Sequence, residues 1–200
     1  KLVYFAQPDD IQQALGTDVL IRERKHDAVP AGLIKMSNGA SAVAYLDRRY
    51  LLGPESGHVN ISGISGLATK TSYAMFLLQS ILQTAPDKDK IAVIILNVKQ
   101  ADLLQVDRRG PELDPDQKEI WETMGLEPKP FEKVKYLLPR SSTPGIPNSF
   151  QPTPNIHTIY AYDLPSTADK LDLLFSNVAD PSGTIEGIHA EIKEIITNSE

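Results

Sequence analysis

The chain has 200 residues, of which 41% are hydrophobic, and a formal net charge of −6. That is enough for one α/β domain with a real core, and the acidic balance argues against a chain-wide basic footprint for nucleic acid, leaving only local patches. With no cysteine, disulfides, thiolate metal sites and a cysteine nucleophile are excluded, which fits a cytoplasmic setting. No apolar run approaches the roughly 18 residues of a membrane span, so no membrane association is expected.

The chain opens on "KLVYFAQPDD", without a Met or a signal-peptide pattern, so a trimmed chain or a piece of something longer is expected. "KLVYFA" predicts a short strand, and a helical turn follows from Pro8 to Leu15. Residues 17–57 read as short strands joined by turns. The candidates are "TDVLIRER", "AGLIKM" and "SAVAYLD", with "SNGA" around Asn38-Gly39 as a hairpin turn and a further turn at Gly53-Pro54. Residues 1–57 therefore form a small β-module, with too few strands for a barrel to follow from the pattern alone.

The pattern changes at residue 58. "HVNISGI" predicts a strand. Over residues 71–84, Ala74, Leu77, Leu78, Ile81 and Leu82 fall on one helix face. "IAVIILNV", residues 91–98, is a continuous apolar, β-branched run, as for a strand buried on both faces of a parallel sheet. Strand, glycine-rich turn, helix and strand make a βαβ unit. Residues 107–155 are rich in charge and proline and predict an insertion of long surface loops with one helix around 115–125. "HTIYAYDL" predicts a strand. "STADKLDLLFSNV" predicts a helix capped by Ser166, and "SGTIEGIHAEIKEIITN" a second helix with Ile185, Ile188, Ile192, Ile195 and Ile196 on one face. There are no internal repeats.

The turn inside the βαβ unit carries the chemistry. In a phosphate loop, consecutive backbone N–H groups converge at a helix amino terminus, a lysine reaches the terminal phosphates and the next hydroxyl holds Mg²⁺. Gly63, Ser65 and Gly66 supply the flexible part, and Leu67, Ala68 and Thr69 complete the loop. Lys70 is the candidate phosphate and catalytic lysine, Thr71 the candidate metal ligand, with Ser72 beside it. The stretch departs from G-x-x-x-x-G-K-[ST]: it is one residue longer, and Thr69 stands where the second glycine is expected. The alternative is a strand-to-helix turn capped by Thr69 or Ser65, with a solvated Lys70.

Other candidates are weaker. His26, His58, His157 and His189 show no i, i+4 pair, so core or surface roles outweigh metal binding. Arg48 and Arg49, or Arg108 and Arg109, suit arginine fingers on a neighbour's nucleotide, although solvated arginines are commoner. The acidic runs read as solvated loops. Trp121, near Met124, reads as core rather than as a base-stacking platform.

Residues 31–82, with Gly32, Tyr45, Leu46, Asp47, His58, Ile61, Gly63, Ser65, Gly66, Lys70 and Thr71 in place, resemble the junction between the amino-terminal β-barrel and the RecA-like core of HerA-type ATPases, the FtsK/HerA branch of P-loop proteins. "IAVIILNVKQADLL" is similar to the family's second core strand. "HTIYAYDLPSTADKLDLLFSNV" is similar, more weakly, to an aromatic strand and helix further on. The resemblance implies an α/β fold: a small barrel-like module over 1–57, then a partial RecA-like P-loop NTPase core over 58–200 with its Pro-rich insertion at 107–155. It implies ATP and Mg²⁺ as cofactors, a homo-oligomeric ring, translocation on DNA and a nuclease partner. The family's acidic strand end is not matched: Asn97 and Asp102 lie at the second-strand position, and Asp163 is a weaker candidate. The second hypothesis is a non-hydrolysing nucleotide-binding or assembly module with an altered loop.

Overall fold

The computed structural model describes residues 3–54, 57–64, 69–97, 103–149, 155–161 and 167–198. It is a mixed α/β structure with two small sheets, one antiparallel pair and one parallel pair. The chain divides into two compact units: Lys1–Leu96 with Val106–Glu132, and Asn97–Gln105 with Lys133–Glu200.

The first unit begins with two short helices, α1 (Pro8–Ala14) and α2 (Asp18–Arg24). Pro8 suits the first helical position, where no N–H is needed, and the Asp10 carboxylate accepts the Gln7 N–H at 2.8 Å. α2 corrects a strand expectation. "TDVLIRER" has no period-2 alternation; only Leu20 is buried and Val19 stays exposed. Its Leu, Arg and Glu are good helix formers. The described part of "KLVYFA" is irregular as well, with Val3, Tyr4 and Phe5 all exposed.

The expected hairpin is present. β1 (Ala28–Lys35) and β2 (Ser41–Asp47) pair antiparallel, with Ala28 opposite Asp47 and Lys35 opposite Ser41. Gly39 closes the turn at a positive φ of 85°, a conformation that costs glycine little. The Asn38 side-chain oxygen accepts the Ala40 N–H at 3.1 Å. The register shifts between Pro30 and Gly32, so Ala31 is the extra residue of a bulge, beside a proline that has no N–H to donate.

A short helix, α3 (Arg48–Leu52), follows directly, and α4 (Thr69–Thr84) is the longest helix described. Leu77 and Ile81 of α4 pack with Val29 and Ala85, and Leu51 and Ile91 cover the cluster. Two hydroxyls of α4 serve the bulge. Ser80, fully buried, donates to the Pro30 carbonyl at 2.6 Å, and Tyr73 donates to the Ala31 carbonyl at 3.0 Å. Two carbonyls at the bulge thus find partners on the helix. Next to Tyr73, whose ring centroid is 5.9 Å away, Phe76 meets Trp121 edge-on, with ring centroids 5.5 Å apart. Trp121 belongs to α5 (Pro115–Thr123), capped by Asp114, whose carboxylate accepts the Gln117 N–H at 2.8 Å. Val43, Met124 and Leu126 form the core here, so Trp121 packs against core, as expected.

Two expectations fail in this unit. Among the described residues the hairpin stands alone, so there is no closed barrel. Residues 57–64 and 91–97 contain no paired strand, and the βαβ unit is absent there. The run "IAVIIL" is not buried: Ile94 is 87% and Leu96 84% exposed. The run has the composition of a central strand but no neighbour in the described structure to cover it.

In the second unit, β3 (Tyr136–Pro139) and β4 (His157–Tyr160) pair parallel, Tyr136 opposite His157 and Pro139 opposite Tyr160. β4 is the expected strand. β3 lies inside what reads as a loop-rich insertion; its four residues alternate, Tyr136 and Leu138 buried and Leu137 exposed. A 3-10 turn, Ala168–Lys170, leads into α6 (Leu171–Leu174), and α7 (Thr184–Thr197) is the expected second helix. The Ser166 cap lies outside the described residues. The buried line of α7 is rotated from the all-isoleucine face. His189 is its one buried residue, and Ile188 and Ile195 are exposed. The Asp180 carboxylate accepts the N–H groups of Thr184, Ile185 and Glu186 at the start of α7. Partial desolvation would raise its pKa, but these donors and the Ser182 hydroxyl hold it below the ordinary carboxylate value. No helix among the described residues is long and apolar enough to cross a membrane.

Candidate functional site

The amino end of α4 carries the sequence-predicted site. Thr69, Lys70, Thr71 and Ser72 form the first turn of the helix, and Gly63 lies against it. Ser65, Gly66, Leu67 and Ala68 lie outside the described residues. The Lys70 ammonium folds back and donates to the Gly63 carbonyl at 3.0 Å. A methyl group added to Gly63 would meet the Thr69 hydroxyl at 3.0 Å and the Lys70 Cγ at 3.1 Å. A side chain at Gly63 would need the Thr69 hydroxyl, in place of the expected glycine, and the Lys70 stem to give way by a few tenths of an ångström.

The electrostatics of this turn are one-sided. A helix amino terminus presents unsatisfied N–H groups and partial positive charge, which favour an anion and disfavour a cation. The first turn of α4 contains Lys70 and no acidic residue. The Gly63 carbonyl dipole is the one compensation the ammonium receives in the described structure, and a single neutral acceptor is readily exchanged for a phosphate oxygen. Thr71 and Ser72 are exposed. Thr71 offers one hydroxyl to a cation. No group of three or more His, Asp or Glu side chains able to hold a metal occurs among the described residues. Mg²⁺ at this position fits only with phosphate oxygens and water completing its shell.

The expected site residues do not share one surface. Thr69 lines a hollow of about 460 Å³ with Ser62, Tyr73 and Leu77. Ser72, one turn on, borders a second, adjacent cavity of about 370 Å³ with Met75, Phe76 and Gln79. Residues 69 and 72 sit on neighbouring rows of the helix, yet they border different concavities.

Arg48 and Arg49 are committed within the chain. Arg48 bridges the buried Asp27, at 3.3 Å, and Asp87, at 2.6 Å. Arg49 binds Asp47 at 3.0 Å, and Arg24 reaches the same carboxylate at 3.1 Å. The Arg49 side chain lowers the pKa of Asp47 most; burial opposes it, and the Arg49 N–H and the charges of Arg49 and Arg24 add to the lowering. These pairs tie the end of the hairpin to α3 and to the segment after α4, and they are not displayed to a neighbouring molecule. Arg108 and Arg109 line the 370 Å³ cavity.

In the second unit the buried His189 donates from Nδ1 to Asp172 at 3.1 Å, and Lys193 reaches the other oxygen of Asp172 at 2.7 Å. The hydrogen bonds from Lys193, then from His189, hold the Asp172 carboxyl below its ordinary value. Phe175 packs on the imidazole, with centroids 5.0 Å apart. The cluster fastens α6 to α7, and no nucleophilic side chain accompanies it in these contacts. Asp102 and Asp163 lie outside the described residues, and Asn97 is engaged by a neighbour.

Neither the hydroxyl contacts at the bulge nor the cavity beside Trp121 has a direct sign in the sequence. The available signal was polar residues on the buried side of α4: Gln79 and Ser80 are both buried and hydrogen-bonded. No known protein-family model matches this chain, and no curated protein is similar enough to match it.

Proposed function

We propose that the amino end of α4 binds the phosphates of ATP, with Lys70 on the β- and γ-phosphates and Thr71 presenting its hydroxyl to Mg²⁺. The observation that carries this reading is the Lys70–Gly63 contact at 3.0 Å. It closes the loop on itself and holds a cation at the positive end of a 16-residue helix, where an anion is favoured. When ATP is present, Lys70 exchanges the Gly63 carbonyl for phosphate oxygens. The loop amides and the lysine then bear the charge of the transferring group, so catalysis rests on position and electrostatics. The wider reading, a HerA-like motor subunit that assembles as a ring and translocates DNA beside a nuclease, rests on the sequence resemblance over residues 31–82.

Titration calorimetry with ATP and Mg²⁺ tests the site. The expected result is saturable heat from the wild type and its loss in Lys70→Ala. Equal heats from both proteins, or none from either, overturn the proposal.

A second reading is a module that binds nucleotide, or assembles, without turnover. The observation in its favour is Thr69, whose hydroxyl crowds Gly63 where a glycine would leave room. Saturable ATP binding with no phosphate release in the presence of DNA supports this reading; steady ATP hydrolysis removes it.

A further inference from the structure

The 370 Å³ cavity bordered by Ser72 is formed wholly within the first unit, by α4, α5 and the segments flanking α5. Its volume lies in the range of small-molecule sites, about 300–1,000 Å³. Three rings meet there, Phe76, Trp121 and Phe131. Phe76 and Trp121 are edge to face, with planes 76° apart, so together they offer one ring face and one ring edge to an occupant.

The wall opposite α5 is held rigidly. The Gln83 side chain donates to the Glu127 carbonyl at 2.9 Å and accepts the Glu127 N–H at 2.8 Å, as a strand neighbour would. Gln79, buried at the cavity floor, donates to the Lys129 carbonyl at 2.9 Å and accepts from Gln83 at 3.0 Å. The Phe131 N–H is bound to the Val106 carbonyl at 2.9 Å. The floor amide is thus already satisfied and asks nothing of a ligand. The interior accepts a ring without hydrogen-bonding groups of its own.

The rim is the opposite. Arg108, Arg109, Lys118 and Lys129 line it against one carboxylate, Glu112, in a chain whose net charge is −6. Lys118 is taken by Glu112 at 2.9 Å, and Lys129 by Glu132 at 3.2 Å. Arg108 already has a partner. Arg109 lines the cavity and pairs with no carboxylate among the described residues. Its planar guanidinium binds carboxylate, sulfonate or phosphate oxygens through two parallel N–H groups.

We propose that this cavity is a binding site for a planar aromatic anion, the ring lying among Phe76, Trp121 and Phe131 and the anionic group on Arg109. The site shares Ser72 with the candidate phosphate loop and otherwise uses different residues.

The chain's only tryptophan is in the site, so binding is read directly. The probe is 8-anilinonaphthalene-1-sulfonate, with N-phenyl-1-naphthylamine as its uncharged counterpart. 1-Naphthoate and 1-naphthyl phosphate serve as competitors that rank carboxylate against phosphate. The expected result is saturable energy transfer from Trp121 to the sulfonate, weakened about tenfold in Arg109→Ala and by an intermediate amount in Arg109→Lys. Arg22→Ala, which removes an exposed arginine paired with Glu23, leaves it unchanged. The uncharged probe binds more weakly and is indifferent to Arg109. Arg109 is exposed, so its variants keep the wild-type melting curve. No binding to the wild type, binding without transfer from Trp121, equal affinity in Arg109→Ala, or an uncharged probe as tight as the sulfonate each overturn the proposal.

Discussion

Ser80 shows how much one hydroxyl can decide. A serine in the middle of a 16-residue helix is an indifferent helix former, and its neighbours Leu77 and Ile81 carry the apolar burial. Its value lies in the Pro30 carbonyl, which it reaches at 2.6 Å with no solvent exposure. Removing the donor takes this bond from a carbonyl on a buried residue. Ser80→Ala is expected to lower unfolding stability by about 1–3 kcal/mol in urea titrations, although alanine is the better helix residue. A stability equal to wild type would mean that another group satisfies the carbonyl. Gly63 is a second residue whose identity is set by contact. Its φ is unremarkable, but the Thr69 hydroxyl and the Lys70 stem occupy the space a side chain would need.

At the scale of elements, the junction of β2 and α3 is governed by one carboxylate. Asp47 ends the strand, caps the helix by accepting the Arg49 N–H at 3.0 Å, and pairs with the Arg49 guanidinium. Its pKa is held below the ordinary carboxylate value in the folded chain. The unfolded chain therefore binds this proton more readily, and the contribution to stability is full above the ordinary value and is lost as pH falls through the folded one. Asp47→Asn keeps a cap acceptor and loses the charge. It is expected to be less stable than wild type by about 1–2 kcal/mol near neutral pH, with the gap closing as the pH falls below the ordinary carboxylate value. Urea melts across that range measure it; a gap independent of pH would place the effect in packing rather than charge.

Elements with short-range signals were legible in the sequence. The hairpin turn at Asn38-Gly39, the Asp114 and Pro115 start of α5 and the amphipathic α4 all follow from residues within a few positions of one another. α2 was misread because a seven-residue helix buries little beyond Leu20, so its apolar residues offer almost no period. β3 was missed because its four residues gain strand character only from β4, about twenty positions on. At the candidate site, sequence put Lys70 at the helix start. It had no means of showing that Thr69 and Ser72 border different hollows, since that depends on what packs around the helix.

At the scale of the molecule, the apolar run 91–97 departs most from what its composition implies. An extended segment with Ile94 and Leu96 almost fully exposed is what soluble chains avoid. Because neither side chain is packed, Ile94→Lys with Leu96→Lys is expected to change folding stability by less than about 0.5 kcal/mol. The pair is also expected to lower concentration-dependent light scattering. A marked loss of stability would show that these side chains are buried in solution. The acidic net charge fits local rather than general cationic sites: Lys70 at the start of α4 and Arg109 at the aromatic cavity are separate features on a chain of net negative charge.

The bulge at Ala31 sets a rule for length. Tyr73 and Ser80 grip two successive carbonyls of the bulge from positions two turns apart on α4. That grip fixes the helix in rotation as well as in translation. An insertion between Lys70 and Ser80 would swing everything before it by about 100° and carry Lys70 away from Gly63. An insertion before Thr69 disturbs neither contact. The grip of Tyr73 and Ser80 thus fixes the spacing within the first three turns of α4 and places no demand on the length of the chain before them.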